Sequence, residues 1–153
     1  MTIIEQASYS ATDVKIEARE SVYQGFIQVE KVALRHRLFG ENTYTPVLQR
    51  ELIHRPEAAG VLIYNDEQQK FALIEQFRIG AVDDHESPWQ LEVIAGVLDA
   101  GESAEQCLSR ESLVESSCAI HTLPHLFSFY PSAVAGSELF LLYTAQAMLV
   151  LSG

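Results

Sequence analysis

Two carboxylates, Glu111 and Glu115, stand four residues apart in the segment GVLDAGESAEQCLSRESLVESSC, which runs from Gly96 to Cys118. On an α-helix that spacing puts both on one face, where two negative charges repel unless a cation sits between them. Oxygen ligands with no Cys or His set beside them favour a hard ion, Mg²⁺ or Mn²⁺, and such ions commonly serve phosphate chemistry. Taken alone, a Glu-x-x-x-Glu pair is more often a solvated helix face, so the elements around it decide its meaning.

Those elements are readable. Gly101-Glu102 ends a turn, Ser103 is a natural N-cap, and Gln106 completes a capping box, so the sequence predicts a helix from here to about Ser116. Ala104, Leu108 and Ser112 form a neighbouring stripe that can pack inward. Gly96 with Glu102 after five intervening residues, then Arg110-Glu111 after seven more and Glu115 beyond, resembles the Nudix box, G-x5-E-x7-R-E-U-x-E-E-x-G-U with U apolar. The chain departs from that pattern at Ser112 (apolar in the family), Val114 (Glu) and Ser117 (Gly). Replacing a Glu that usually joins the metal cluster by Val114 bears on how many ions are held, and Ser117 lacks the freedom of glycine to follow a helix in a left-handed conformation.

The resemblance extends from about Val14 to Glu138 and is to the ADP-ribose pyrophosphatase branch of the Nudix hydrolases. It is carried by Tyr23-Gln24-Gly25-Phe26, Leu34-Arg35-His36-Arg37-Leu38-Phe39, Ile74-Glu75-Gln76-Phe77-Arg78 and Pro88-Trp89 leading to Ala95-Gly96. It implies an α/β (α+β) fold, a mixed sheet packed against the Nudix helix with a small N-terminal antiparallel sheet. It also implies two parts: residues 1–55, a strand subdomain that exchanges across a homodimer, and 56–153, the hydrolase core. Members of the branch continue for several more elements, including a loop that supplies a catalytic acidic residue; this chain stops at Gly153 and is expected to be C-terminally short.

For the site, the resemblance implies that Glu111, Glu115 and the carbonyl of Ala95 hold Mg²⁺ or Mn²⁺. Arg110 and Glu102 would brace the loop against the helix, with a phosphate contact as the rival role for Arg110; bracing is favoured because Arg110 is expected to point away from Glu111. Arg50 and Arg78 match positions that hold the diphosphate and the adenosine side, their alternative being ordinary salt bridges. Phe26, with Ile27 beside it, matches a ring that stacks on adenine, although without the resemblance it reads as core. Ser132 and Glu138 match residues touching the terminal ribose, but Ala133-Val134-Ala135 stands where the branch has Pro-Gly-Gly, a place where a turn needing positive φ would be strained. Trp89 reads as core beneath the loop, or as a wall of the adenine pocket, and His121 and His125 as surface or packing residues. The leading function is hydrolysis of ADP-ribose to AMP and ribose 5-phosphate. Action on another nucleoside diphosphate sugar and a non-catalytic nucleotide-sugar binding or interaction module are the alternatives.

Composition narrows the field. The chain has 153 residues, 48% hydrophobic and 20% charged, enough for one domain with a substantial core. A net charge of −11 with only ten Lys and Arg argues against a general nucleic-acid binder. No apolar run suits a bilayer and no leader pattern opens the chain, so no membrane partner and a cytoplasmic location are expected. Cys107 and Cys118, eleven apart, fit neither a disulfide framework nor a zinc site and read as buried or incidental thiols.

Strands are predicted at Val14–Arg19, Phe26–Leu38, Thr45–Ile53, Ala58–Tyr64, Lys70–Phe77, Gln90–Ile94, Leu123–Phe129 and Glu138–Ala145. Ala58–Tyr64 and Lys70–Phe77 are apolar enough to be central, and Met1–Thr12 reads as loose.

Overall fold

The computed structural model describes residues 8–116, 120, 122–147 and 149, the side chains of Glu115 and Ser116 excepted. Ser117, Cys118, His121 and the carboxylate of Glu115 therefore lie outside the described residues. Contacts divide the chain into two compact units, Met1–Arg55 with Ser132–Ser137, and Pro56–Pro131 with Glu138–Gly153.

In the first unit, β1 (Val14–Gln24), β2 (Gln28–His36) and β3 (Leu48–His54) form an antiparallel sheet in that order. A 3-10 turn, Ala11–Asp13, leads into it: Ser10 accepts from the Thr12 N–H while Asp13 takes the Ser10 N–H, so the part of the expected loose segment nearest β1 is capped. β1 runs past its expected end at Arg19 and is exposed along its length, tied to β2 by Arg19–Glu30 at 2.7 Å and Arg35–Glu17 at 3.0 Å. Phe26, expected inside a strand, instead sits at the tip of the β1–β2 hairpin with its side chain wholly in solvent. The 132–137 segment joins this unit through Ile53 N–H to Ala135 O at 2.7 Å and Ser137 N–H to Ile53 O at 3.0 Å.

The second unit is built on β4 (Ala58–Asn65), whose Ala58, Ala59, Val61 and Ile63 are buried. Its apolar run suits a strand covered on both faces. β10 (Phe140–Gln146) runs parallel to β4 and β9 (His125–Phe129) antiparallel to β10. Along the other edge of β4 lie β5 (Lys70–Ala72), opposite Ile63–Asn65, and β8 (Ile94–Val97), opposite Ala58–Val61. The single α-helix among the described residues, α1 (Ala104–Ser116), lays Ala104 and Leu108 into a core with Val61, Ile63, Ile94 and Tyr143. Burying a side chain such as Leu108 contributes roughly 1.5–3 kcal/mol. The expected fold class, a mixed sheet against one helix with a small antiparallel sheet, is the one observed.

Two expected strands are each divided. Lys70–Phe77 breaks at Leu73: β5 is a short edge strand rather than central, and β6 (Ile74–Phe77) pairs with β7 (Trp89–Glu92) in a separate two-stranded sheet. Gln90–Ile94 breaks at Val93, where the chain leaves β7 and joins β4 as β8. At Leu73 the chain changes hydrogen-bonding partner within a continuous apolar run, and at Val93 it does so where such a run begins after Glu92. Among the described residues no helix is long and apolar enough to cross a membrane.

Candidate active site

The site is assembled from β8, the turn after it and the first turns of α1. The turn closes on itself: Glu102 N–H donates to Asp99 O at 2.9 Å and Asp99 N–H donates to Glu102 Oε2 at 3.0 Å. Gly101 takes φ +82°, a left-handed conformation that glycine adopts without strain. The capping box is then made as the sequence predicts, Ser103 N–H to Gln106 Oε1 at 2.9 Å and Gln106 N–H to Ser103 Oγ at 3.2 Å. The inward stripe of Ala104, Leu108 and Ser112 is buried, which fixes the rotation of α1.

With that rotation, Glu111 lies against β8. A Cβ built on Gly96 would come within 2.6 Å of Glu111 Cγ and 2.7 Å of its Oε1. Arg110 lies between two carboxylates. Its Nε and Nη2 donate to Glu102 Oε1 and Oε2 at 3.0 and 2.9 Å, the forked geometry that suits guanidinium to carboxylate, while Nη1 donates to Glu111 Oε1. The expectation that Arg110 points away from Glu111 is therefore wrong: a helical wheel places Cβ atoms, and this side chain is long enough to fold back across the next residue. Nη2 also stands 3.6 Å from the buried Cys107 Sγ.

Charge follows this geometry. The Arg110 guanidinium, and after it the Asp99 N–H, hold the Glu102 carboxyl below its ordinary range, and the same pairing raises Arg110. Burial, with Glu102 nearby, pushes the Cys107 thiol up to about 11. On the first turn Glu105 is lowered, chiefly by its own N–H and the Ser103 hydroxyl; its Oε1 also accepts from Tyr143 Oη at 3.5 Å.

Arg78 is held by Glu92, with Nε 2.9 Å from both carboxylate oxygens and Nη2 2.5 Å from Oε2. Glu92 was not singled out from sequence, because a partner fourteen residues away across β6–β7 leaves no local pattern. Trp89 is not core: it is more than half exposed and meets Phe77 edge to face at 5.5 Å. Val114 is 77% exposed, on the helix side away from the core. Glu138 is half-buried ahead of β10. His125 lies on β9, its Nε2 2.9 Å from Ser128 Oγ and its ring against Tyr143, in keeping with a packing role.

The remaining candidates belong to the first unit. Phe26 and Ile27 form the hairpin tip, where Gly25 N–H donates to Ile27 O at 2.9 Å. Arg50 lies on β3 and donates from Nη1 to Gln49 O at 2.8 Å. Ser132 opens a tight turn whose carbonyl accepts from Ala135 and Gly136 N–H at 3.2 and 2.7 Å. Among the described residues the only non-glycine with positive φ is Gln69, so Val134 is accommodated without the expected strain.

The NUDIX domain family profile matches residues 54–147. The ADP-ribose pyrophosphatase of Escherichia coli strain K12 is 37% identical over 131 residues, 86% of this chain and 62% of that protein. That of Haemophilus influenzae is 34% identical over 127 residues, 81% of this chain and 58% of its own. The GDP-mannose pyrophosphatase of Citrobacter koseri is 34% identical over 99 residues, 64% and 51% of the two chains. Thus the chain spans less than two thirds of the length of these relatives. A crystal structure of an ADP compounds hydrolase shares the fold, with a TM-score of 0.67 at 24% identity over 95% of this chain and 75% of that one. With more than half of its length inside the family match, and with Gly96, Glu102, Arg110 and Glu111 gathered beside the middle of one helix, the chain belongs to the NUDIX domain family.

Proposed function

We propose that this chain hydrolyses the diphosphate of a nucleoside diphosphate sugar, with ADP-ribose the leading substrate and AMP and ribose 5-phosphate the products. The observation that carries this reading is the cluster of Glu102, Arg110 and Glu111 against Gly96, in a chain whose relatives bear pyrophosphatase names. Water attacks one phosphorus, the bridging P–O bond breaks, and the proton of the water passes to solvent or a carboxylate.

Among the described residues no three His, Cys, Asp or Glu side chains are grouped to hold a metal ion. The donor chemistry nevertheless fits a hard cation. The hollow that a Cβ at Gly96 would fill holds the Glu111 carboxylate, an oxygen donor lying against backbone. Glu111, Glu115 and the carbonyl of Ala95 are the proposed ligands of Mg²⁺ or Mn²⁺. When bound, such an ion neutralises phosphate oxygens and makes water a better nucleophile near neutral pH.

The other residues bind and orient. Glu102 and Arg110 keep the 97–103 turn fixed to α1. Arg78, held in plane by Glu92, offers its guanidinium to the adenosine side, and Arg50 to the diphosphate. Phe26 is proposed to stack on adenine from the partner subunit of a homodimer whose 1–55 regions exchange, with Ile27 beside it; its full exposure at a hairpin tip suits such a reach. Ser132 and Glu138 are assigned to the terminal ribose. Purified protein incubated with ADP-ribose and Mg²⁺ should release AMP, and Glu111→Gln should abolish release. Parallel assays with ADP-glucose and GDP-mannose rank the sugars.

A second reading, a nucleotide-sugar binding module without turnover, is favoured by Val114, an apolar residue exposed where the family box has Glu. In that case ADP-ribose raises the melting temperature while AMP never accumulates.

A further inference from the structure

Most cations of the first unit already have a partner. Arg19, Arg35 and Arg37 each meet a carboxylate, on Glu30, Glu17 and Asp13, and Lys15 lies over the Tyr44 ring at 4.1 Å. Lys31 and Arg50 differ. Among the described residues Lys31 makes no ion pair, and Arg50 donates to a neutral acceptor, Gln49 O at 2.8 Å.

These two cations line one hollow of about 310 Å³, together with Gln49 and Glu51. Register explains the grouping. β2 and β3 pair antiparallel with Lys31 opposite Glu51, so those two side chains leave the same face of the sheet. Arg50 precedes Glu51 and starts from the other face; its bond to Gln49 O keeps the guanidinium beside the backbone of β3, the outer strand. Two cations against one carboxylate leave the hollow with a single net positive charge, in a chain whose net charge is −11.

We propose that Lys31 is a binding residue for the diphosphate of the substrate, sharing this hollow with Arg50. The ammonium supplies three donors from a compact charge and the guanidinium a planar set, so the pair can meet several phosphate oxygens at once. Neither group is committed to a carboxylate, so an entering phosphate breaks no ion pair. The hollow lies at the low end of the roughly 300–1,000 Å³ usual for small-molecule sites, which suits part of a nucleotide sugar rather than all of it. This inference rests on the proposed role of Arg50 in substrate binding.

The experiment is calorimetric binding of methylene-bridged ADP-ribose, which lacks the P–O bond to be broken, in Mg²⁺. The wild-type chain is compared with Lys31→Gln, Arg50→Gln and Lys15→Gln, melting curves confirming that each is folded. Lys31→Gln should weaken binding roughly two- to five-fold, the loss expected for one exposed charge contact. Arg50→Gln should weaken it at least as much. Lys15→Gln makes the same change in net charge at a cation already engaged and should match the wild-type chain. In the AMP-release assay the Lys31→Gln loss should appear in KM with kcat unchanged.

If Lys31 serves only the cross-strand pairing with Glu51, Lys31→Gln lowers the melting temperature and leaves affinity as it was. That result, beside a weakened Arg50→Gln, overturns this inference and leaves the Arg50 reading standing. A Lys15→Gln loss equal to that of Lys31→Gln, or a Lys31→Gln effect on kcat alone, overturns it too. Undiminished binding by Arg50→Gln overturns the Arg50 reading and the shared hollow together, and absence of binding by the wild-type chain overturns the substrate reading with them.

Discussion

Glu111 occupies the space where a side chain on Gly96 would begin, its Cγ 2.6 Å and its Oε1 2.7 Å from that Cβ position. The atoms in the way are the outer part of a flexible side chain, not backbone. Gly96→Ala should therefore cost little stability, because Glu111 can swing aside, and much function, because it then leaves the hollow. Melting temperature should change by a few degrees at most while AMP release falls by at least tenfold. Equal losses of both would show that Gly96 serves packing rather than the site.

Val114 lies one turn from Glu111 and Arg110 and is largely in solvent. A carboxylate there avoids the penalty of buried charge, so Val114→Glu should change stability within about 0.5 kcal/mol. It would add a third carboxylate to Glu111 and Glu115, and Mg²⁺-dependent activity should rise. A folded variant that binds more Mn²⁺ without any gain in turnover would favour the binding-module reading.

The pH response of the turn has a definite sign. Arg110 and the Asp99 N–H depress Glu102 below the ordinary 4.5. Their stabilisation is fully present above pH 4.5, where the unfolded chain would also be ionised, and is lost as pH falls through the lower folded value. The melting-temperature difference between the wild-type chain and Glu102→Gln should be flat from pH 5 to 8 and shrink below about 4.5. Asp13 and Glu30 are depressed too, by Ser10 N–H and by His54 with Arg19 respectively, so the difference rather than the raw curve isolates Glu102.

Much of this site is written locally. The Ser103–Gln106 box, the inward stripe and the Gly96-to-Glu111 spacing all act within one turn-and-helix unit, and each forms as expected. Long-range pairing is less legible. Leu73 sits inside an apolar run, and nothing in such a run marks where the chain exchanges one partner strand for another. β1 has no buried face to impose an alternating pattern, so its far end escaped notice. The partners of Arg110 and Arg78 are not legible for a shared reason: a long side chain chooses its carboxylate in space, and sequence offers many carboxylates.

Two substitutions decide what holds α1 in place. Ser103→Ala removes one cap bond and should cost about 1 kcal/mol, since Gln106 can still bond the N–H at position 103. Leu108→Ala empties a fully buried position between α1 and β4 and should cost about 2–5 kcal/mol. Packing should therefore outweigh capping by at least twofold in urea denaturation. The effect on AMP release should differ as well: Ser103→Ala loosens the turn that carries Glu102, whereas Leu108→Ala lets the whole helix shift and takes Glu111 away from Gly96. A Ser103→Ala loss as large as that of Leu108→Ala would mean that the turn, and not the core, sets the position of the helix.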